Sequence, residues 1–372
     1  MTSSICNLPR DLAEEILSRV PVKSLKAVRF TCKRWNTLSK DVSFIKKYVG
    51  QAKEEAAKKK EFMVIKPMDF RVYLLHVTLH NDDKSFIRCE AKFTSQDDSD
   101  QVDLYRVFHS DGLLLSISKD CTKLVAWNPY SRNSRWIEFE SSPDLMDVYM
   151  YAFGYEKSNN SCHNYKILRF VEDYCGFECK IYDFNSDSWR VLDITPYEEI
   201  YIDYHRRGGV SLKGNTYLLC QSVLSSHVDL VCFDFTRKKF WLPLSLPFEY
   251  SNLPSALTLS SVREEQLPVM LLRFDTFTME IWITTRIEPS AVSWNSKVFL
   301  AVNLIQLTFY YFCFEGTSFF IDEEKNFAVV FDNKNVAYIF GVDGTLKKEH
   351  FGLSKKLCYT HACSYVPSLV QL

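Results

Sequence analysis

Three times along the middle of the chain an apolar run ends in an aromatic residue beside Asn or Asp, passes through a polar turn and resumes at a second aromatic. The copies are Trp127-Asn128-Pro129-Tyr130 leading to Trp136, Tyr182-Asp183-Phe184 leading to Trp189, and Phe233-Asp234-Phe235 leading to Phe240. Their turns differ (Ser131-Arg132-Asn133, Asn185-Ser186-Asp187, Thr236-Arg237-Lys238), yet each joins turn formers to an aromatic placed to close a hairpin by a cross-strand contact. The anchors Asn128, Asp183 and Asp234 stand 55 and 51 residues apart, and a looser copy from Trp282 to Trp294 begins 48 further on. A repeat of about 50 residues with several strands per copy is the footprint of a β-propeller of kelch-like spacing. The doublet glycine of such repeats occurs once, as Gly208-Gly209, and the Gly-His and Trp-Asp marks of WD repeats are lacking, so the repeat is degenerate. Six blades are expected.

The N-terminal part follows a different period. Leu12, Ile16, Leu17 and Val20, then Leu25 and Val28, then Trp35 and Leu38 recur at helical spacing, with Pro9 near the first start, Pro21 between the first two groups and Thr31 at the turn into the third. This pattern predicts three short helices. The stretch from Ser43 through Lys53-Glu54-Glu55-Ala56-Ala57-Lys58-Lys59-Lys60 predicts a helical linker, its lysines forming a solvated face rather than a nuclear-import signal. From Phe62 the period becomes two, as in Tyr73-Leu75-Val77-Leu79, Val329-Phe331 and Tyr338-Phe340. The expected organisation is therefore α+β with two domains: helices over 1–45, a linker over 46–61 and an all-β body over 62–372.

Composition removes several function classes. Lys and Arg number 45 against 46 Asp and Glu, a formal charge of −1, which supplies no global field for nucleic acid or an anionic membrane. Aromatics at 15% with only 11 glycines fit strands and exclude collagen-like or disordered chains. Apolar runs are too short to span a bilayer and the first residues lack a signal-peptide pattern, so an intracellular protein of nucleus and/or cytoplasm is expected. The 12 cysteines show no C-x-x-C, so most are expected to be buried, reduced small hydrophobes, Cys175 and Cys179 included. No P-loop, dinucleotide fingerprint, G-x-S-x-G or H-E-x-x-H occurs. The pairs His76 with His80 and His361 with Cys363 have no third ligand nearby in sequence, so neither metal nor cofactor is expected. Gln96-Asp97-Asp98-Ser99-Asp100 reads as a solvated turn, and the sequon Asn159-Asn160-Ser161 as inert.

Leu8-Pro9-Arg10-Asp11-Leu12-Ala13-Glu14-Glu15-Ile16-Leu17-Ser18-Arg19-Val20-Pro21-Val22-Lys23-Ser24-Leu25, continuing to Val28-Arg29-Phe30-Thr31-Cys32-Lys33-Arg34-Trp35 and Leu38, resembles the F-box. Thr31 departs from the apolar residue frequent there in plant members. Three helices over some forty residues bury too little surface to be stable alone, and their apolar residues exceed one internal stripe, so a partner is needed. The resemblance implies that the partner is a SKP/ASK-type adaptor of a cullin-RING ubiquitin ligase. It further implies adaptor contacts at Leu8, Pro9, Ile16, Leu17, Pro21, Leu25, Val28, Trp35 and Leu38, with Trp35 as a hot spot; for each single residue, plugging the bundle is the competing role. The remainder is similar to the plant F-box-associated domain, through Trp127-Asn128-Pro129, Phe153-Gly154-Tyr155, Tyr165-Lys166-Ile167-Leu168-Arg169, Phe233-Asp234-Phe235, Glu280-Ile281-Trp282-Ile283 and Phe319-Phe320-Ile321-Asp322-Glu323. These are strand cores and turns, which identify a scaffold and name no ligand.

The expected function is a non-catalytic substrate-recognition subunit, with the propeller holding an unidentified target protein. Tyr197, Tyr201, Tyr204, Arg206 and Arg207 lie in an apparent inter-strand loop and have the residue types of binding hot spots, although the tyrosines folding back on the sheet is the competing reading. The segment from Ser141 to Tyr151, with Leu145, Met146, Tyr149 and Met150, is the next candidate. The alternatives are a propeller enzyme, or a propeller that binds glycan or a small ligand without a ligase role.

Overall fold

The computed structural model describes residues 8–20, 24, 28, 31–39, 41, 43–44, 47–48, 50–51, 61–68, 71–78, 86–93, 103–128, 134–139, 149–157, 163–173, 176–197, 200–202, 209–223, 227–248, 255–262, 265–305, 317–332, 336–351, 363–365, 368 and 370. From Glu61 onward these residues form six antiparallel sheets. In chain order the first contains Glu61–Met68, Arg71–Thr78 and Phe86–Phe93, and the second runs from Leu104–Ser110 to Ser134–Glu138. The third runs from Met150–Glu156 to Ser188–Val191, and the fourth from Ile200–Ile202 to Lys239–Phe240. The fifth spans Ser255–Leu259 to Leu300–Asn303, and the sixth Ser318–Asp322 to Leu346–His350.

The repeated aromatic-Asp/Asn unit is the outer hairpin of a sheet. Tyr182 lies opposite Trp189 and Phe233 opposite Phe240, so the aromatic that follows each of these turns is the direct cross-strand partner of the one that precedes it. In the second sheet Trp136 lies opposite Val125, and in the fifth Trp294 lies opposite Thr284. The turn carboxylates cap their own hairpins. Asp234 Oδ1 accepts from the backbone N–H groups of Thr236 and Arg237, both at 2.9 Å, and Asp183 Oδ1 accepts from that of Asn185 at 2.9 Å.

Successive residues in the second strand of a sheet point to opposite faces and enter different cores. Ile65 packs with Val107 and Leu114, whereas Val64 packs with Val329 and Phe331. Leu115 joins Phe153 and Ile167; Leu168 joins Val231 and Phe233; Leu219 joins Val269 and Leu271; Met270 joins Phe319 and Val330. Each core is shared by two neighbouring sheets, and the circuit returns from the sixth sheet to the first. This is a β-propeller. Strands near its axis, Leu104–Ser110, Met150–Glu156 and Val210–Leu212, touch one another although they belong to different sheets. Leu113–Ser118 is buried at every position rather than at alternate ones because both of its faces pack against neighbouring sheets, Ser116 and Ser118 included.

The ring closes between its first long strand and the C-terminal segment. Cys363–Ser364 pairs with Glu61–Met68 through Val64 opposite Ser364 and Ile65 opposite Cys363, so the first sheet takes its innermost strand from the C-terminal segment. Asn128 Nδ2 then donates to the carbonyls of Ser368 at 2.8 Å and Val370 at 2.9 Å, and the Tyr365 hydroxyl donates to the carbonyl of Gly112 at 3.2 Å. Asn128, read from the sequence as a turn anchor, thus also holds the tail.

At the N-terminus, helix α1 (Arg10–Ser18) and helix α2 (Lys33–Leu38) pack with Phe44 and Tyr48 around Ala13, Leu17, Trp35 and Leu38. The Tyr48 hydroxyl donates to the carbonyl of Val20 at 2.5 Å and ties the end of this bundle to the end of α1. Ser24 and Val28, in the region of the expected middle helix, are helical, but the residues around them lie outside the described set, as do 52–60 of the expected linker.

Candidate protein-interaction surfaces

The N-terminal helix presents two apolar ridges. Ala13 and Leu17, four residues apart, point into the bundle, whereas Leu12 is 52% exposed and Ile16 43% exposed, also four apart. A charged frame surrounds the exposed pair: Arg10 bridges Glu14 at 2.8 Å and Asp41 at 2.9 Å, and Glu15 bridges Arg19 at 2.5 Å and Lys47 at 3.6 Å. The Ser43 hydroxyl and backbone N–H, with help from Arg10, hold the Asp41 carboxyl down at about 2. The helix therefore offers a small apolar strip with fixed charges beside it.

The residues expected from the resemblance to contact an adaptor occupy different environments. Pro9 and Ile16 are exposed, and Leu8 and Val28 are half-buried against the bundle. Leu17, Trp35 and Leu38 are inside it, Trp35 being only 8% exposed, with its indole N–H lacking a hydrogen-bond partner. Pro21 and Leu25 lie outside the described residues. Leu12, which sequence reasoning used only for periodicity, is the most exposed apolar residue of α1. Its spacing from Ile16, on a helix whose inward positions are already taken by Ala13 and Leu17, was the available signal.

The segment expected to be a target-binding loop is partly strand. Ile200–Ile202 pairs with Asn215–Ser222, Tyr201 lying opposite Gln221, because Ile200 and Ile202 are both buried and leave Tyr201 on the other face, half-buried. Tyr197 is 50% exposed, and Tyr204, Arg206 and Arg207 lie outside the described residues. Val210–Leu212 then pairs with the other end of Asn215–Ser222, and among the described residues Leu218 and Leu219 have no partner strand on that edge. Among the described residues the inner edge of the fourth sheet thus consists of two short strands, with residues 203–209 between them in sequence. In the alternative segment, Tyr149 and Met150 are buried, and the guanidinium of Arg169 lies 3.6 Å from the Tyr149 ring centroid; residues 140–148 are outside the described set.

Two buried lysines have structural partners. Lys166 Nζ sits 2.5 Å from Asp183 and 3.0 Å from Glu156, and Lys66 Nζ donates to the carbonyl of Asp332 at 3.0 Å. Burial pushes the free thiols of Cys179 and Cys220 up to about 12, so they remain unreactive thiols near neutrality. Among the described residues no three His, Cys, Asp or Glu side chains are grouped to hold a metal ion, and no helix is long and apolar enough to cross a membrane.

Residues 5–47 match the F-box domain family, and residues 63–372 match the F-box associated beta propeller domain family. The chain belongs to the plant F-box proteins that carry an F-box-associated β-propeller. Similar relatives agree along their whole length. One F-box protein of Arabidopsis thaliana is 51% identical over 383 residues, covering 99% of both chains, and another is 49% identical over 389 residues, covering 98% of this chain and 99% of its own. An F-box/kelch-repeat protein of the same plant is 47% identical over 398 residues, with 99% of each chain covered. In this F-box protein the helical bundle described above is thus the F-box, and the ring of sheets is the associated domain.

Proposed function

We propose that this F-box protein is the substrate-recognition subunit of an SCF-type (SKP–cullin–F-box) ubiquitin ligase. The observation that carries the reading is the outward apolar pair Leu12 and Ile16 on a helix whose opposite ridge already fills the F-box core. A SKP-type adaptor covers that pair together with Leu8, Pro9, Pro21, Leu25 and Val28, while Leu17, Trp35 and Leu38 hold the helices in the orientation that presents them. The propeller binds a target protein, with Tyr197, Tyr201, Tyr204, Arg206 and Arg207 as its first candidate contacts, of which Tyr201 lies on an inner strand of the fourth sheet. Catalysis then needs no side chain of this chain. Tethering a target lysine beside a ubiquitin-charged enzyme raises its effective concentration, and the ligase's other subunits carry the chemistry.

The finer architecture belongs to the same proposal. The six sheets and their shared cores support six blades, with Cys363–Ser364 as the strand that seals the ring. A three-helix F-box over 1–45, a linker over 46–61 and a propeller over 62–372, in an intracellular compartment, complete it. The test is co-elution of the purified chain with a SKP-type adaptor. Leu12→Asp with Ile16→Asp should abolish the complex while far-ultraviolet circular dichroism stays unchanged; a double variant that still co-elutes places the docking surface elsewhere.

A further inference from the structure

Three segments from neighbouring sheets meet at one rim of the propeller. The Tyr155 N–H donates to the carbonyl of Gly214 at 3.1 Å, which sets the turn holding Lys213 beside the end of Met150–Glu156. The Lys157 N–H donates to Thr236 Oγ1 at 3.0 Å, which sets the turn Thr236-Arg237-Lys238 beside the same strand end. Lys157, Lys213, Arg237 and Lys239 are exposed on these segments and Lys238 is half-buried. Trp241 anchors two of the cations: Lys239 Nζ lies 3.8 Å and the Arg237 guanidinium 5.5 Å from its ring centroid, and its indole N–H donates to Asp234 at 3.3 Å.

The neighbouring carboxylates are already engaged. Asp234 is nearly buried, accepts from its own turn and pairs with Arg237 at 3.3 Å, while Glu156 pairs with the buried Lys166. Asp111, on the adjoining turn, accepts from the Tyr165 hydroxyl at 2.9 Å and stands 4.0 Å from His163. Among the described residues no carboxylate forms an ion pair with Lys157, Lys213, Lys238 or Lys239. Four uncompensated ammonium groups on one rim are a local excess in a chain whose formal charge is −1.

We propose that this rim binds an acidic segment of the target protein, a run of Asp and Glu side chains laid across the turns of the third and fourth sheets. The proposal rests on the reading of the propeller as target receptor. Carboxylates rather than phosphates are assigned because the free cations are lysines, point charges spread over two turns and the strand ends beside them. Among the described residues of this rim the guanidinium, which would supply the planar fork suited to a phosphate, is that of Arg237, and it is already turned toward Asp234 and Trp241.

The test is fluorescence anisotropy of a labelled Glu/Asp-rich peptide titrated with the full chain at two salt concentrations. The rim variant carries Lys157→Gln, Lys213→Asn, Lys238→Asn and Lys239→Gln. Asparagine is used at 213 and 238 because both residues have a left-handed backbone, φ 50 and 55, which Asn tolerates. Binding should weaken by ~tenfold or more, the product of several weak exposed contacts, and lose most of its salt dependence. A control neutralising Lys119, Lys123, Lys297 and Lys348 on other sheets should bind like the parent. Equal weakening by the control, or no change in the rim variant, overturns the proposal. So does capture of a phosphoserine peptide, an anionic lipid vesicle or duplex DNA in place of the acidic peptide. Adaptor co-elution is measured on the same proteins: its retention confines a negative result to the rim, and its loss in the parent chain points to the receptor reading itself.

Discussion

Trp35 and its neighbours on α1 divide the work of the F-box between holding a shape and offering a surface. The indole is buried among Leu17, Leu38, Phe44 and Tyr48, and its N–H makes no hydrogen bond, so its contribution is apolar packing. Trp35→Ala should therefore destabilise the bundle by about 3–5 kcal/mol, and Trp35→Phe by much less, in chemical denaturation of the full chain. A Trp35→Ala variant that keeps the parent's helical signal and stability would show the ring to be peripheral. A second residue-scale effect belongs to Asp234. Burial, the largest single influence, raises its pKa, but the N–H groups of Arg237, Trp241 and Thr236 and the Arg237 guanidinium outweigh burial and leave it below the ordinary carboxylate range. A carboxyl depressed in the folded state stabilises fully above its unfolded value, about 3.9, and that contribution disappears as pH falls through the folded value. The urea midpoint of the parent should accordingly fall on acidification from pH 5 toward pH 2 more steeply than that of Asp234→Asn, which has no charge to lose there. Parallel curves would remove Asp234 from the account of acid stability.

Hairpins are the elements in which sequence and structure correspond most directly, and Asp111-Gly112 shows where that correspondence stops. The pair joins Leu104–Ser110 to Leu113–Ser118 with φ 49 at Asp111 and 76 at Gly112, the left-handed geometry that an Asp-Gly turn between strands supplies. Gly112 carries a second constraint that no local pattern shows: a Cβ there would lie 2.2 Å from Ser368 Oγ and 3.0 Å from the Ser368 backbone nitrogen. Gly344 has a similar φ of 89 and nothing within 4 Å, so Gly344→Ala measures backbone strain alone, about 1–2 kcal/mol. Gly112→Ala should cost more and should expose the C-terminal residues to carboxypeptidase; equal losses in the two variants would mean that the tail shifts freely. The target-binding segment missed by one element for a related reason. Ile200-Tyr201-Ile202 is too short for alternation to stand out, and its strand character comes from Cys220–Ser222 on the facing strand.

Ring closure governs the whole molecule. Every sheet shares cores with two neighbours, and the first obtains its inner strand from Cys363–Ser364 at the far end of the sequence. Truncation after Phe351 should remove that strand, uncover Val64 and Ile65, and replace one cooperative thermal transition by a broad transition at lower temperature. A truncated chain that melts like the parent would show that closure does not depend on the tail. The aromatic-Asp hairpin frame, the change of period near Phe62 and the F-box helix stripe were legible in the residues alone, because cross-strand pairs, turns and helical spacing are local properties. Tertiary packing set the rest: that Trp35 faces inward while Leu12 faces out, that Ile200–Ile202 joins the fourth sheet as a strand, and that lysines of the third and fourth sheets share a rim. Those outcomes depend on which faces find a partner across the ring, and pairs such as Val64 with Ser364 are separated by most of the chain, beyond the reach of any local pattern.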